Sequence, residues 1–199
     1  GEVFGAYLSS EYVRALETAA LLDLPNANWE GDPFLRERNF GRMSVLTHTE
    51  REERFKAEME ARKRDSFYWT PPSGESLADV SIRVDLVLDS LAQRDLHPSS
   101  TIIVSHFNVM QVIRTRIEAI RQVEFEDKLI NVPEELKIKN AAVIHYTRID
   151  PETKEIAPTY RWMRIAVPWL GGKQANPPWM EITYRYVTNQ DIISHVPYD

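Results

Sequence analysis

Thr101-Ile102-Ile103-Val104-Ser105-His106 decides the fold. Four strand-forming residues run without polar alternation, as in a parallel strand covered on both faces. A helical pattern follows over residues 109–121, with Val109, Val112, Ile113, Ile117 and Ile120 on its inward side. A strand leading straight into a helix is an α/β unit, and His106 falls at the strand's C-terminal end. In open α/β sheets that edge binds ligands, and the following helix N-terminus favours anions. Residues 3–8 repeat the arrangement near the start of the chain. They read as a buried strand, Ser9-Ser10 as a cap, and residues 11–22 as a helix packed through Leu16, Ala19, Ala20 and Leu22. Arg14, in the first turn of that helix, holds the place relative to its strand that His106 holds relative to the other.

A loop over residues 29–43 is dense in charge, with Glu30, Asp32, Arg36, Glu37, Arg38 and Arg42. Thr49-Glu50-Arg51-Glu52 resembles a capping box before a charged helix reaching about residue 64, whose Arg62-Lys63-Arg64 end reads as solvated. Phe67-Tyr68-Trp69 opens a turn-rich connection and is expected to pack the helix layer or wall a pocket. Ser76-Leu77-Ala78-Asp79 caps a further helix with Leu77, Val80, Val84, Leu88 and Leu91 on one stripe. Residues 140–146 read as another strand. Beyond Asp150-Pro151 the pattern is broken by Pro158, Pro168, Gly171-Gly172 and Pro177-Pro178, leaving short strand-like pieces near 159–165 and 179–186. Alternating strands and helices predict an α/β fold: a mostly parallel sheet with helices on both faces. Residues 1–199 are expected to form a single domain, with 151–199 an irregular C-terminal extension that covers the pocket or forms a homodimer surface.

The 199 residues are 43% hydrophobic and 27% charged, which suits a globular domain with a sizeable core. A net charge of -6 argues against a nucleic-acid partner, yet leaves room for a local cationic pocket. With no cysteine, thiolate catalysis, disulfides and cysteine zinc sites are excluded. No apolar run reaches membrane-spanning length and no signal peptide opens the chain, so the default expectation is cytoplasmic with no membrane partner. His48, His97, His145 and His195 are scattered without ligand spacing, and no metal site is read from them.

Arg14, Glu37 and His106 are the candidates for chemistry. A guanidinium, a carboxylate and an imidazole are the groups that phosphoryl transfer uses, to neutralise the transferring oxygens and to supply the leaving group's proton. Each has a bland alternative: an exposed helix arginine, a surface ion pair with Arg36 or Arg38, and a strand-end histidine satisfied by hydrogen bonds.

Their surroundings carry a family resemblance. Ser9-Ser10-Glu11-Tyr12-Val13-Arg14-Ala15, with Thr18-Ala19 after it, resembles a segment of the histidine phosphatase (phosphoglycerate mutase-like) superfamily. Arg36-Glu37-Arg38-Asn39-Phe40-Gly41 is similar to its glutamate-centred loop. Gly74-Glu75-Ser76-Leu77, with Asp79 and Arg83, resembles its next helix start, and Ile103-Val104-Ser105-His106 the strand bearing its second histidine. The four occur in family order within about residues 3–146.

The resemblance implies a three-layer α/β sandwich and a small phosphorylated substrate. Arg14 and His106 would bind phosphate, Glu37 would act as general acid or base, and Arg38, Phe40, Phe107 and Asn108 would line the substrate. No metal or other cofactor is implied. Two departures stand out. No Arg-His-Gly, the family's nucleophile motif, occurs among the 199 residues, so the first strand with its nucleophilic histidine, one phosphate-binding arginine and the first helix are expected to be missing ahead of Val3. Phe107 and Asn108 also stand after His106, where relatives usually carry glycine and then glutamate or glycine. The expectation is phosphomonoester hydrolysis through a phosphohistidine in the intact protein, and no turnover by this chain. A phosphoglycerate mutase and a non-catalytic or truncated binding protein are the rivals.

Overall fold

The computed structural model describes residues 3–94, 100–186 and 188–195. His97 lies outside them. The chain packs as two compact units, Gly1–Arg116 with Gln122–Glu126, and Ile117–Arg121 with Asp127–Asp199.

The first unit is built on a parallel sheet of three strands: β1 (Ala6–Ser10), β2 (Trp29–Asp32) and β3 (Thr101–Val104), in the order β2-β1-β3. β1 is central and buried at every position. It carries the full covering expected of β3, which is instead half-buried along its length. The register pairs Ser9 with Val104, so the C-terminal ends of β1 and β3 emerge side by side. Ser9 and Ser10 are strand residues rather than a cap, because pairing with β2 continues through both of them and pairing with β3 through Ser9. The strand starts at Ala6, and Val3 is exposed.

Helix α1 (Val13–Leu21) follows β1 and buries only Ala15 and Ala19. Leu16 and Leu22, expected on its packed face, are exposed. Small alanines let the helix lie close to the sheet, which leaves no room there for leucines. The charged helix read over 49–64 is two helices, α2 (His48–Arg54) and α3 (Lys56–Arg64), separated where Phe55 leaves the helical region. α2 begins at Thr47 with a capping box closed by Glu50. Of the basic end of α3, Lys63 pairs with Glu60 at 2.8 Å, whereas Arg62 lies over the Trp69 ring, 5.6 Å from its centroid. Phe67 and Trp69 are core residues, and Phe67 meets Phe125 edge-on at 5.5 Å.

Helix α4 (Leu77–Gln93) opens on a capping box between Ser76 and Asp79 and buries Leu77, Val80, Ser81, Val84 and Val87. Helix α5 (Phe107–Ile117) starts directly after His106 and buries Val109, Gln111, Val112, Arg114 and Thr115.

In the second unit β4 (Val143–Thr147) pairs antiparallel with β5 (Trp162–Ala166), which pairs antiparallel with β6 (Met180–Glu181). The segment read as a further strand of the α/β pattern thus belongs to a separate antiparallel sheet. Its core is Met163, Ile165 and Ile182, with Ala142, Ile144, Tyr146, Met180 and Tyr184 packed around them. Residues 151–199 therefore supply two of the three strands of that sheet.

Candidate functional site

His106 follows β3 and is 7% exposed. Its Nε2 lies 2.8 Å from the Ser10 hydroxyl oxygen, at the end of β1. The Ser10 oxygen also accepts the Tyr12 backbone N–H at 3.3 Å. Tyr12 turns its ring edge-on to His106, with 5.3 Å between centroids. The Arg14 guanidinium lies 4.8 Å from the centroid of that same ring. One tyrosine thus links the imidazole to the cation. Burial first, then the charges of Arg14 and Arg83, push the His106 imidazole down to about 4. It is therefore uncharged near neutral pH.

Glu37 reaches this region by way of its loop. The Ser105 hydroxyl donates to the Leu35 carbonyl at 2.8 Å, binding the end of β3 to the short 3-10 turn Pro33–Leu35. Two residues on, one Glu37 oxygen accepts the Arg38 backbone N–H at 2.7 Å. The other faces the Asn108 N–H, in the first turn of α5, at the long distance of 3.5 Å. Glu37 is thereby held against the helix that starts at His106, where the positive end of the helix dipole suits a carboxylate.

The loop is clamped from α4. Glu75 accepts from Arg83 Nε at 3.1 Å, from Arg83 Nη2 at 3.3 Å and from the Asn39 N–H at 2.8 Å. Arg83 Nη1 donates to the Phe34 carbonyl. Gly41, at φ +53°, fits against this clamp only because it lacks a side chain: an added Cβ would sit 2.2 Å from the Pro72 oxygen.

Arg38, expected to contact substrate, is 4% exposed and committed to the fold. It donates to the Glu75 carbonyl at 2.7 Å and to the Trp69 carbonyl at 2.8 Å. Its guanidinium lies 5.0 Å from the Phe40 centroid and 5.2 Å from the Trp69 centroid. Burial and the nearby Arg62 charge lower it to about 10, which still leaves it charged at neutral pH. Phe40 is half-buried beneath Arg38 and Arg51. Phe107 is exposed and Asn108 half-buried at the start of α5.

Neither Ser10 nor Tyr12 carries a local signature of a site in the sequence. Ser10 reads locally as a helix cap, and only the pairing of β1 with β3 shows it as the partner of a histidine. Among the described residues, no group of three or more His, Asp or Glu is gathered closely enough to hold a metal ion. No helix among them is long and apolar enough to cross a membrane.

Comparison with known proteins bears on the family and the fold. The chain is 28% identical over 105 residues to the chicken (Gallus gallus) 6-phosphofructo-2-kinase/fructose-2,6-bisphosphatase. The match takes in 53% of this chain but only 21% of that enzyme. Among solved structures, Bacillus stearothermophilus YhfR superposes with a TM-score of 0.61 at 22% identity, over 77% of this chain and 72% of that one. The alpha-ribazole phosphatase from Shigella flexneri gives 0.56 at 25% identity, over 63% and 62%. A mycobacterial glucosyl-3-phosphoglycerate phosphatase in complex with VO3 gives 0.54 at 25%, over 61% and 62%. The family model for the histidine phosphatase superfamily (branch 1) matches residues 1–149, and the chain belongs to that superfamily.

Proposed function

We propose that the site serves a phosphomonoester hydrolase acting through a phosphohistidine. The observation that carries this reading is the Tyr12 ring, which meets His106 on one side and Arg14 on another at the C-terminal edge of the sheet. Arg14 supplies charge to non-bridging phosphoryl oxygens and His106 an N–H donor to the same group. Glu37, half-buried beside the start of α5, transfers protons.

In the first step a nucleophilic histidine attacks phosphorus, the ester P–O bond breaks, and the Glu37 carboxyl gives its proton to the departing alkoxide. In the second, water attacks the phosphohistidine, the Glu37 carboxylate takes a proton from that water, and inorganic phosphate leaves. No Arg-His-Gly is present in the 199 residues, so on this reading turnover depends on a nucleophile they do not supply. The chain itself is expected to bind phosphate without hydrolysing esters. Phe107 and Asn108, at the start of α5, are the residues we assign to the substrate's leaving group.

The test has two arms. The chain carrying an added strand ending in Arg-His-Gly and a following helix ahead of Val3 is offered p-nitrophenyl phosphate and small sugar phosphates, beside the same protein with His106→Ala. Turnover that depends on His106 is expected, and turnover no greater than in the His106→Ala protein overturns the reading. Direct measurement of 3-phosphoglycerate isomerisation separates a mutase.

A further inference from the structure

The hydrogen bonds around Ser10 bear on which nitrogen of His106 carries its proton. Ser10 is fully buried, and its hydroxyl oxygen has two neighbours, the Tyr12 N–H at 3.3 Å and His106 Nε2 at 2.8 Å. The Tyr12 N–H can only donate. The hydroxyl's own hydrogen therefore needs an acceptor, and among the described residues His106 Nε2 is the one its hydrogen bonds offer. With a proton on Nε2, the serine oxygen would accept twice while its hydrogen pointed into packed protein unpaired, an arrangement that folded proteins avoid. A charged imidazole, carrying protons on both nitrogens, meets the same obstacle. His106 Nδ1 differs: it makes no hydrogen bond among the described residues, yet is not one of the buried polar atoms there that lack a partner. It is thus the nitrogen open to a ligand.

We propose that Ser10 is a positioning residue that holds His106 as the neutral tautomer protonated on Nδ1, so that His106 meets a phosphoryl oxygen as an uncharged N–H donor while Arg14 supplies the positive charge. The last step rests on the phosphatase reading of the site; the tautomer does not. Tyr12 contributes by its backbone N–H, which occupies a lone pair of the serine oxygen, and by its ring, which lies against the imidazole.

The test is a two-bond 1H–15N spectrum of the histidine side chains in the 199-residue chain at pH 7. His106 is assigned by its disappearance in His106→Gln. The expected pattern is a protonated, pyrrole-like Nδ1 and an unprotonated, pyridine-like Nε2, favoured by at least about tenfold over the other tautomer. A protonated Nε2 overturns the proposal. In Ser10→Ala the preference should collapse to a mixture or reverse, with the remaining histidine signals unmoved. An unchanged Nδ1–H pattern in that variant removes Ser10 from the role. Ser10→Cys, nearly the same shape with a much weaker donor, repeats the measurement should the alanine chain not fold. Saturation with inorganic phosphate should shift Nδ1 and its hydrogen and leave Nε2 unprotonated; protonation of Nε2 at saturation overturns the neutral-donor role. A wild-type spectrum with the expected tautomer but no response to phosphate defeats the phosphatase reading and leaves Ser10's control of the tautomer standing.

Discussion

His106 and Ser10, 96 positions apart in the chain, meet across 2.8 Å at the adjoining ends of two parallel strands. That contact buries an imidazole which burial, Arg14 and Arg83 together keep from taking a second proton.

A pH dependence of stability follows. In the unfolded chain His106 titrates near its ordinary 6.5, and in the folded protein near 4. Between those values the unfolded state binds the additional proton, so stability is fully present above about pH 6.5 and falls as the pH drops towards 4. The loss from this one group reaches about 3 kcal/mol at most. His106→Gln should flatten that part of the curve. Urea midpoints for both proteins from pH 4 to 8 check it, and parallel curves would contradict it.

Arg14→Ala should weaken the binding of inorganic phosphate by about ten- to a hundredfold, the size of a lost charge-assisted contact. Arg14 is exposed, so stability should stay within about 0.5 kcal/mol of the parent. The same substitution should raise the His106 pKa, since one of the charges holding it down is gone. Calorimetry with phosphate and a histidine NMR titration read the two effects separately.

Arg38→Ala should cost about 3 kcal/mol or more in stability, because it strips a buried carbonyl and a part-buried one of their donor and opens space between Phe40 and Trp69. Arg38→Lys should fall between, as one ammonium cannot reproduce the guanidinium fork. Denaturant unfolding distinguishes this from a purely substrate-contacting arginine, whose loss would leave stability unchanged.

Gly41→Ala should destabilise by about 2–4 kcal/mol. At φ +53° the added Cβ would meet the Pro72 oxygen at 2.2 Å and the Ser73 carbonyl carbon at 2.5 Å, backbone atoms that cannot rotate aside. Gly74→Ala presses on the same junction from the other side, 2.4 Å from the Asn39 oxygen. Thermal unfolding of the two single variants and the double should show less than additive loss, since each relieves the contact the other strains.

Much of the candidate site is legible along the chain. A strand running into a histidine and a helix, an arginine in the first turn after another strand, and a glutamate between two arginines all have local signatures. Local patterns also misled. Leucines at helical spacing suggested the packed face of α1, where alanines are what the close sheet admits. Ser9 and Ser10 look like caps because serine before a helix usually is one, while pairing with β2, and for Ser9 with β3 as well, keeps them extended. Arg38 reads as a substrate-lining residue, and nothing local reveals that it also donates to the Glu75 and Trp69 carbonyls.

By itself the sequence determined the elements and the chemical groups: apolar runs for the strands, helical stripes for α4 and α5, and the residue types at the strand ends. Only the tertiary structure decided the partners. The order β2-β1-β3 puts Ser10 beside His106, the Ser105 bond to the Leu35 carbonyl carries Glu37 to the start of α5, and β4 joins an antiparallel sheet instead of the parallel one. Periodicity is a property of neighbours in the chain. Hydrogen bonds between strand ends depend on which strands lie side by side, and that is set by packing over the whole unit.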